Sequence, residues 1–138
     1  EFQRFQEKTT FIMFDIDHFK KFNDNYGHQV GDKVLQTVAR LVQNNIRKTD
    51  YLFRYGGEEF SVILTKTNIK DGTKLAEIMR AALANHVFKF KGERVSVNIS
   101  LGVTPLKAGD TVASLIERGD KALYKAKENG RNRVEVLY

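Results

Sequence analysis

Four carboxylates stand in two short groups: Asp15 and Asp17 close a run of apolar and aromatic residues, and Glu58 and Glu59 follow a glycine pair, Gly56-Gly57. Carboxylates brought together repel unless a cation or a proton lies between them. Mg²⁺ prefers oxygen ligands and usually takes a few carboxylates with water and phosphate oxygens, the combination that phosphoryl and nucleotidyl transfer use. Glycines beside acids at a hairpin tip leave a bare backbone that a nucleotide can approach closely. A plainer account makes Asp17 a helix cap and Glu58 and Glu59 turn solubilisers, and on spacing alone the two accounts weigh about equally.

The elements that must position these acids can be read from periodicity. Thr10–Ile16 is apolar, aromatic and β-branched, the length of a buried strand, with Asp15 and Asp17 at its C-terminal end pointing to one side. A short helix is expected over Phe19–Tyr26, ended by Gly27, and an amphipathic helix over Asp32–Arg47 from Val34, Leu35, Val38, Leu41, Val42 and Ile46. Tyr51–Tyr55 and Glu59–Leu64 are strand-like, and Gly56-Gly57 between them predicts a tight hairpin turn. Glu58 and Glu59 then face opposite sides, and if the first strand is a neighbour, Asp15 shares a site with one of them. Further helices are expected over Lys70–Asn85 and Thr111–Asn129, with strands at Phe88–Phe90, Val95–Thr104 and Val134–Leu137. Helices interleaved with paired strands predict an α+β sandwich, helices covering one face of a mostly antiparallel sheet.

The 138 residues suffice for one domain with its own core. A hydrophobic content of 41% and a charged content of 29% are ordinary for a soluble globular protein. There is no cysteine, which excludes disulfides and thiolate ligands. Phe11–Phe14, the longest strongly apolar run, is far too short to cross a bilayer, and the polar start Glu1–Lys8 does not resemble a signal peptide. The net charge of +6, from 23 Lys+Arg against 17 Asp+Glu, favours anionic partners, although lysines of this kind also solvate helix faces.

Three separated stretches, FDIDHFKKFNDNYGHQVGD (Phe14–Asp32), RYGGEEF (Arg54–Phe60) and KALYKAKENGRNRV (Lys121–Val134), resemble the GGDEF family of diguanylate cyclases in the family's order, in its GGEEF variant. The resemblance covers Phe11 to about Val134 and implies the ferredoxin-like, nucleotidyl-cyclase palm sandwich. It also implies condensation of two GTP molecules into cyclic di-GMP with release of two pyrophosphates, each 3′-hydroxyl attacking the α-phosphate of the other nucleotide. Asp15 and Glu58 match the side chains that hold divalent cations, with the Ile16 carbonyl as a further ligand; the ion is Mg²⁺, or Mn²⁺ in its place. Glu59 matches the acid proposed to help deprotonate the ribose hydroxyl. Asn23 and Asp32 match the pair that reads guanine, a carboxylate accepting from the N1 and N2 protons that adenine lacks; Asp32 is also an ordinary acid for a helix's first turn.

The triphosphate is expected over the start of the Phe19–Tyr26 helix, at His18, Phe19 and Lys20, where free N–H groups and the helix dipole favour anions. The His18 and His28 rings are read as packing or hydrogen-bonding groups rather than metal ligands. Lys127 and Arg131 match the family's phosphate-binding basic pair, although cations at a helix C-terminus also complement its dipole. Arg47 and Asp50 resemble the RxxD site at which the family's product inhibits, against a local ion pair at a helix end; the position of a second arginine found in some members falls on Ile78. One GTP per domain requires a homodimer, which usually means twofold symmetry. The family's N-terminal lead segment is missing, so a single GGDEF domain cut from a longer, cytoplasmic or membrane-anchored protein with an upstream sensor domain is expected. A GGDEF domain that only senses GTP or cyclic di-GMP is the alternative. An RNA-binding sandwich, which would need exposed aromatics on central strands, is not expected, and no nucleic-acid partner with it.

Overall fold

In the computed structural model, which describes residues 9–138, the run Thr10–Ile16 forms strand β1, every residue of it buried. A strand hidden on both faces needs neighbours on both edges and cover on both sides. Its neighbours, β3 (Glu59–Leu64) and β6 (Ile99–Pro105), are both antiparallel to it. At one edge β2 (Tyr51–Arg54) pairs antiparallel with β3, and at the other β7 (Val134–Val136) runs parallel to β6, giving the order β2-β3-β1-β6-β7. The strands β4 (Phe88–Phe90) and β5 (Glu93–Val95) form a separate hairpin.

The helices are α1 (Phe19–Tyr26), α2 (His28–Asn45), α3 (Ile69–Asn85) and α4 (Val112–Glu128). The α+β sandwich with a mostly antiparallel sheet is as expected, but the helices cover both faces rather than one. Val34, Leu35, Val38 and Val42 of α2 and Ala76, Met79 and Leu83 of α3 share a core with Ile12, Phe14, Phe60 and Leu101. The opposite face carries α4: a Cβ on Gly119 would come within 2.7 Å of the Phe11 ring, and one on Gly102 within 2.2 Å of the Leu123 backbone nitrogen. β1 is apolar at nearly every position instead of alternating, and two-sided cover is what that pattern requires.

Smaller differences have local causes. Helix α2 starts at His28, not Asp32, because Gly27 alone (φ 90°) turns the chain between α1 and α2 and polar residues fill the first turn. The expected strand Val95–Thr104 is broken at residues 96–98, where the Asn98 carbonyl accepts from the Asp17 amide (2.9 Å). Gly56 and Gly57 do not form a two-residue mirror-image turn: neither has a positive φ, and four residues separate β2 from β3. Thr111 caps α4 through a reciprocal pair with Ser114. Glu1–Lys8 lies outside the described residues, and among these no helix is long and apolar enough to cross a membrane.

Candidate active site

Register brings the acids together. Asp15 stands opposite Glu59 on one side and Ser100 on the other, so these three side chains share the α4 face of the sheet. Glu58, just before β3, borders a cleft of about 180 Å³ together with Asp15, Ile16, Asp17, His18, Phe19, Lys20, Lys127 and Arg131. Every residue matched to metal or phosphate therefore lies on this one cleft, although the motifs that supply them are scattered along the chain.

The close approach of α4 delivers Lys127, whose ammonium ion-pairs with Asp15 Oδ2. Burial pushes the Asp15 carboxyl above its ordinary range; Lys127 opposes the shift, and the charges of Asp17 and Glu58 add to it. Its other oxygen, Oδ1, is buried without a hydrogen-bond partner among the described residues. A buried carboxylate oxygen with no donor is an expensive group, and a divalent cation is what would complete it. Asp15 Oδ1, Glu58 and the Ile16 carbonyl fit Mg²⁺, which takes one or two carboxylates and leaves its other positions to water and phosphate. Among the described residues no cluster of three or more His, Asp or Glu side chains could hold a metal alone, so the ion would depend on substrate oxygens. Glu59 is also raised, by burial and then by the charges of Asp120 and Asp15, with Lys127 opposing.

At the mouth of the cleft, α1 begins at the left-handed His18 (φ 57°) with no side-chain cap, leaving first-turn amides free for an anion. A second hollow, an open groove of about 510 Å³, is bordered by Asp32, Leu35, Gln36 and Ala39 of α2, Leu52 and Arg54 of β2, and Phe60. Phe60 borders this groove and Glu58, two residues before it, borders the cleft. Asn23 is not among the residues on the groove; it packs on Gly31, its Oδ1 buried and without a partner among the described residues.

Sequence reasoning gave Arg54 no role and did not find the partners of Asp17. Arg54 donates from Nε to the carbonyl oxygen of Gly57 (2.9 Å), and from a terminal nitrogen to the same oxygen (2.5 Å), bracing the turn that carries Glu58. Asp17 caps no helix: Oδ1 accepts from Ser100 Oγ (2.6 Å) and Oδ2 from the Asn132 amide (2.9 Å). Exposed Tyr51, Phe53 and Tyr55 alternate along β2 and the residue after it, on an edge strand rather than a central one; the alternation was legible, the edge position was not.

Arg47 and Asp50 form a local pair. Asp50, buried, accepts from the Arg47 amide (2.9 Å), from Arg47 Nε and a terminal nitrogen (3.1 and 3.0 Å), and from the Thr65 amide (3.0 Å). Arg47 also reaches Thr67 Oγ1 (2.8 Å) and the Thr65 carbonyl. The pair ties the end of α2 to the segment leading into α3.

The family model described as "Diguanylate cyclase, GGDEF domain" matches residues 1–133. Diguanylate cyclase DgcP of Pseudomonas aeruginosa is 46% identical over 122 residues, 88% of this chain and 18% of that protein. Diguanylate cyclase A of Treponema denticola is 42% identical over 132 residues, 95% of this chain and 36% of that protein; the chain thus spans a minor part of these relatives. Among solved structures, the GGDEF domain of DgcB from Caulobacter crescentus in complex with c-di-GMP superposes with a TM-score of 0.89 at 35% identity, covering 93% of this chain and 77% of that one. The active GGEEF domain of a diguanylate cyclase from Vibrio cholerae gives 0.86 at 40% identity, covering 94% and 83%.

Proposed function

This chain belongs to the GGDEF family of diguanylate cyclase domains, and we propose that it condenses two molecules of GTP into cyclic di-GMP with release of two pyrophosphates. One observation carries the proposal: a single cleft gathers Asp15 with its orphaned Oδ1, Glu58, the uncapped start of α1, Lys127 and Arg131.

In this account the triphosphate lies across the first turn of α1, its charge met by the free amides, Lys127 and Arg131. The guanine enters the groove beside Asp32, which accepts from N1–H and N2–H; Asn23, packed on Gly31 off the groove, would have to turn its amide toward the base to take part. Glu59 takes the proton of the 3′-hydroxyl; its raised pKa moves it toward the value that suits a base near neutral pH. The O3′–Pα bond then forms on the partner nucleotide and the bond from Pα to the bridging oxygen breaks, pyrophosphate carrying off the electron pair. Mg²⁺ or Mn²⁺, held by Asp15, Glu58 and the Ile16 carbonyl, would supply Lewis-acid stabilisation of the transferring phosphoryl group. Each cleft holds one GTP, so two copies must face each other, and an upstream sensor domain would govern how often they meet.

Arg47 and Asp50 are proposed to bind the product. Support comes from the Arg47 side chain, 54% exposed, whose planar guanidinium can stack on a base while its nitrogens hold Asp50, Thr65 and Thr67. Asp50 is already committed to Arg47 and Thr65, and exposed Ile78 on α3 adds no charge, so inhibition by product is expected to be weak.

Incubation with GTP and Mg²⁺ at rising protein concentration tests the reaction. Cyclic di-GMP forming at a rate steeper than first order in protein is expected, and GTP bound but never converted would favour a sensor instead.

A further inference from the structure

We propose that Arg80, on α3, positions the phosphate-binding turn after α4, and that Asp17 is the second anchor of that turn rather than a metal ligand. The proposal rests on Arg131 being a phosphate ligand.

The turn needs holding. After α4 the chain passes through Gly130 (φ 124°), Arg131 (φ 63°) and Asn132 (φ 47°), three successive residues with positive φ. Non-glycine residues are disfavoured there and persist only where the surroundings enforce them. Two side chains do so from different elements. Asp17, after β1, accepts the Asn132 amide at Oδ2 while Ser100 Oγ holds its Oδ1. Arg80 donates to Asn132 Oδ1 (2.9 Å), and its other nitrogens are fixed by a forked pair with Glu77 (2.9 and 2.6 Å). Asn132 is thus clamped through both its backbone and its side chain, immediately after Arg131 of the cleft.

Two consequences follow. Asp17 borders the cleft beside Asp15, but both its oxygens have donors, whereas Asp15 has one with none. And α3, none of whose residues is on the cleft, reaches the phosphate site through one hydrogen bond. A lysine cannot replace Arg80, because three differently directed N–H groups are in use.

The test uses Arg80→Ala, Arg80→Lys, Asn132→Ala and the Arg80→Ala/Asn132→Ala double variant, with two readouts: hydrogen exchange at the residue-132 amide without nucleotide, and affinity for a fluorescent GTP analogue with Mg²⁺. Both single alanine variants should speed exchange and weaken analogue binding by roughly fivefold, the factor one hydrogen bond of ordinary net strength sets. The double variant should be no worse than the more affected single one, and Arg80→Lys, which keeps charge and helix surface, should not restore binding. Wild-type exchange and affinity in Arg80→Ala, or single effects that multiply in the double variant, would overturn the proposal. Coupled exchange in a protein that binds no GTP analogue would uphold the clamp and overturn the nucleotide site itself.

Discussion

Lys127 of α4 ion-pairs with one oxygen of Asp15 on the central strand and leaves the other buried, with no donor among the described residues. The cleft is thereby partly neutralised before any ligand arrives, and the unpaired oxygen is where we propose that the cation binds. Lys127→Ala removes the one side-chain partner Asp15 has among the described residues. The Lys127 side chain is a third exposed (33%), so the loss of stability should be about 1 kcal/mol, short of what a fully buried pair would show. GTP turnover should fall roughly 100-fold with the loss of a charge-assisted phosphate contact. Thermal melts and initial rates measured on one preparation check both; full activity in the variant would remove Lys127 from the site.

Gly31 separates two effects on one residue. An added Cβ would sit 1.8 Å from Asn23 Oδ1 and 3.0 Å from its Cγ, so Gly31→Ala must displace the Asn23 amide. Alanine within α2 gains about 1 kcal/mol of helix propensity over glycine, which offsets the strain in stability. The expected outcome is a KM for GTP raised about tenfold, the loss of one well-placed hydrogen bond to a base, with little change in melting temperature. An unchanged KM would mean that Asn23 does not contact the base.

Arg54 braces the Gly56-Gly57 turn through the Gly57 carbonyl. Arg54→Ala should leave the fold intact, since the residue is exposed, and lower kcat by roughly 10-fold by loosening Glu58. Lysine, a point charge without the fork, should rescue poorly. Steady-state kinetics on the two variants decide it, and full rescue by lysine would show that only charge matters at this position.

Acid should unfold the protein through two carboxylates remote from the cleft. Asp110 is held well below its ordinary 3.8, chiefly by Arg118 and, against the cost of burial, by the Lys107 amide and Ser114. Burial alone would raise Asp50, but Arg47 and the Thr65 amide outweigh it and the net shift is down. For groups lowered in the native state, the unfolded chain binds more protons, so stability is fully present above about pH 4 and is lost as pH falls below it. Asp110→Asn should cost roughly 2 kcal/mol at pH 7 and flatten the decline below pH 4. Chemical denaturation at pH 7 and pH 3 compares the slopes; equal slopes would contradict the account.

Much of this was legible in the residues. β1, β3 and α1 end where their composition and the flanking residues say they should, because apolar runs and Gly27 mark them. The two-sided cover of the sheet was missed: one covered face was expected, although β1 is apolar at nearly every position rather than alternating. The roles of Asp17 and Arg80 were not: their partners lie 115 and 52 residues away, and no local pattern encodes a contact that only packing creates. Asp15 and Asp17 are of the same residue type, and only the structure shows one carboxylate with both oxygens satisfied and the other half empty.

The most direct test of the central claim is product formation by the intact chain and by Glu58→Gln, given GTP, ATP or both with Mg²⁺ at high protein concentration. Glu58→Gln keeps the shape and removes the charge on the cleft. Cyclic di-GMP from GTP alone, no product from ATP, and a loss of about 100-fold or more in the variant are what the account predicts. Equal product from the variant and the unaltered chain, or none from the chain while it binds GTP, would contradict it.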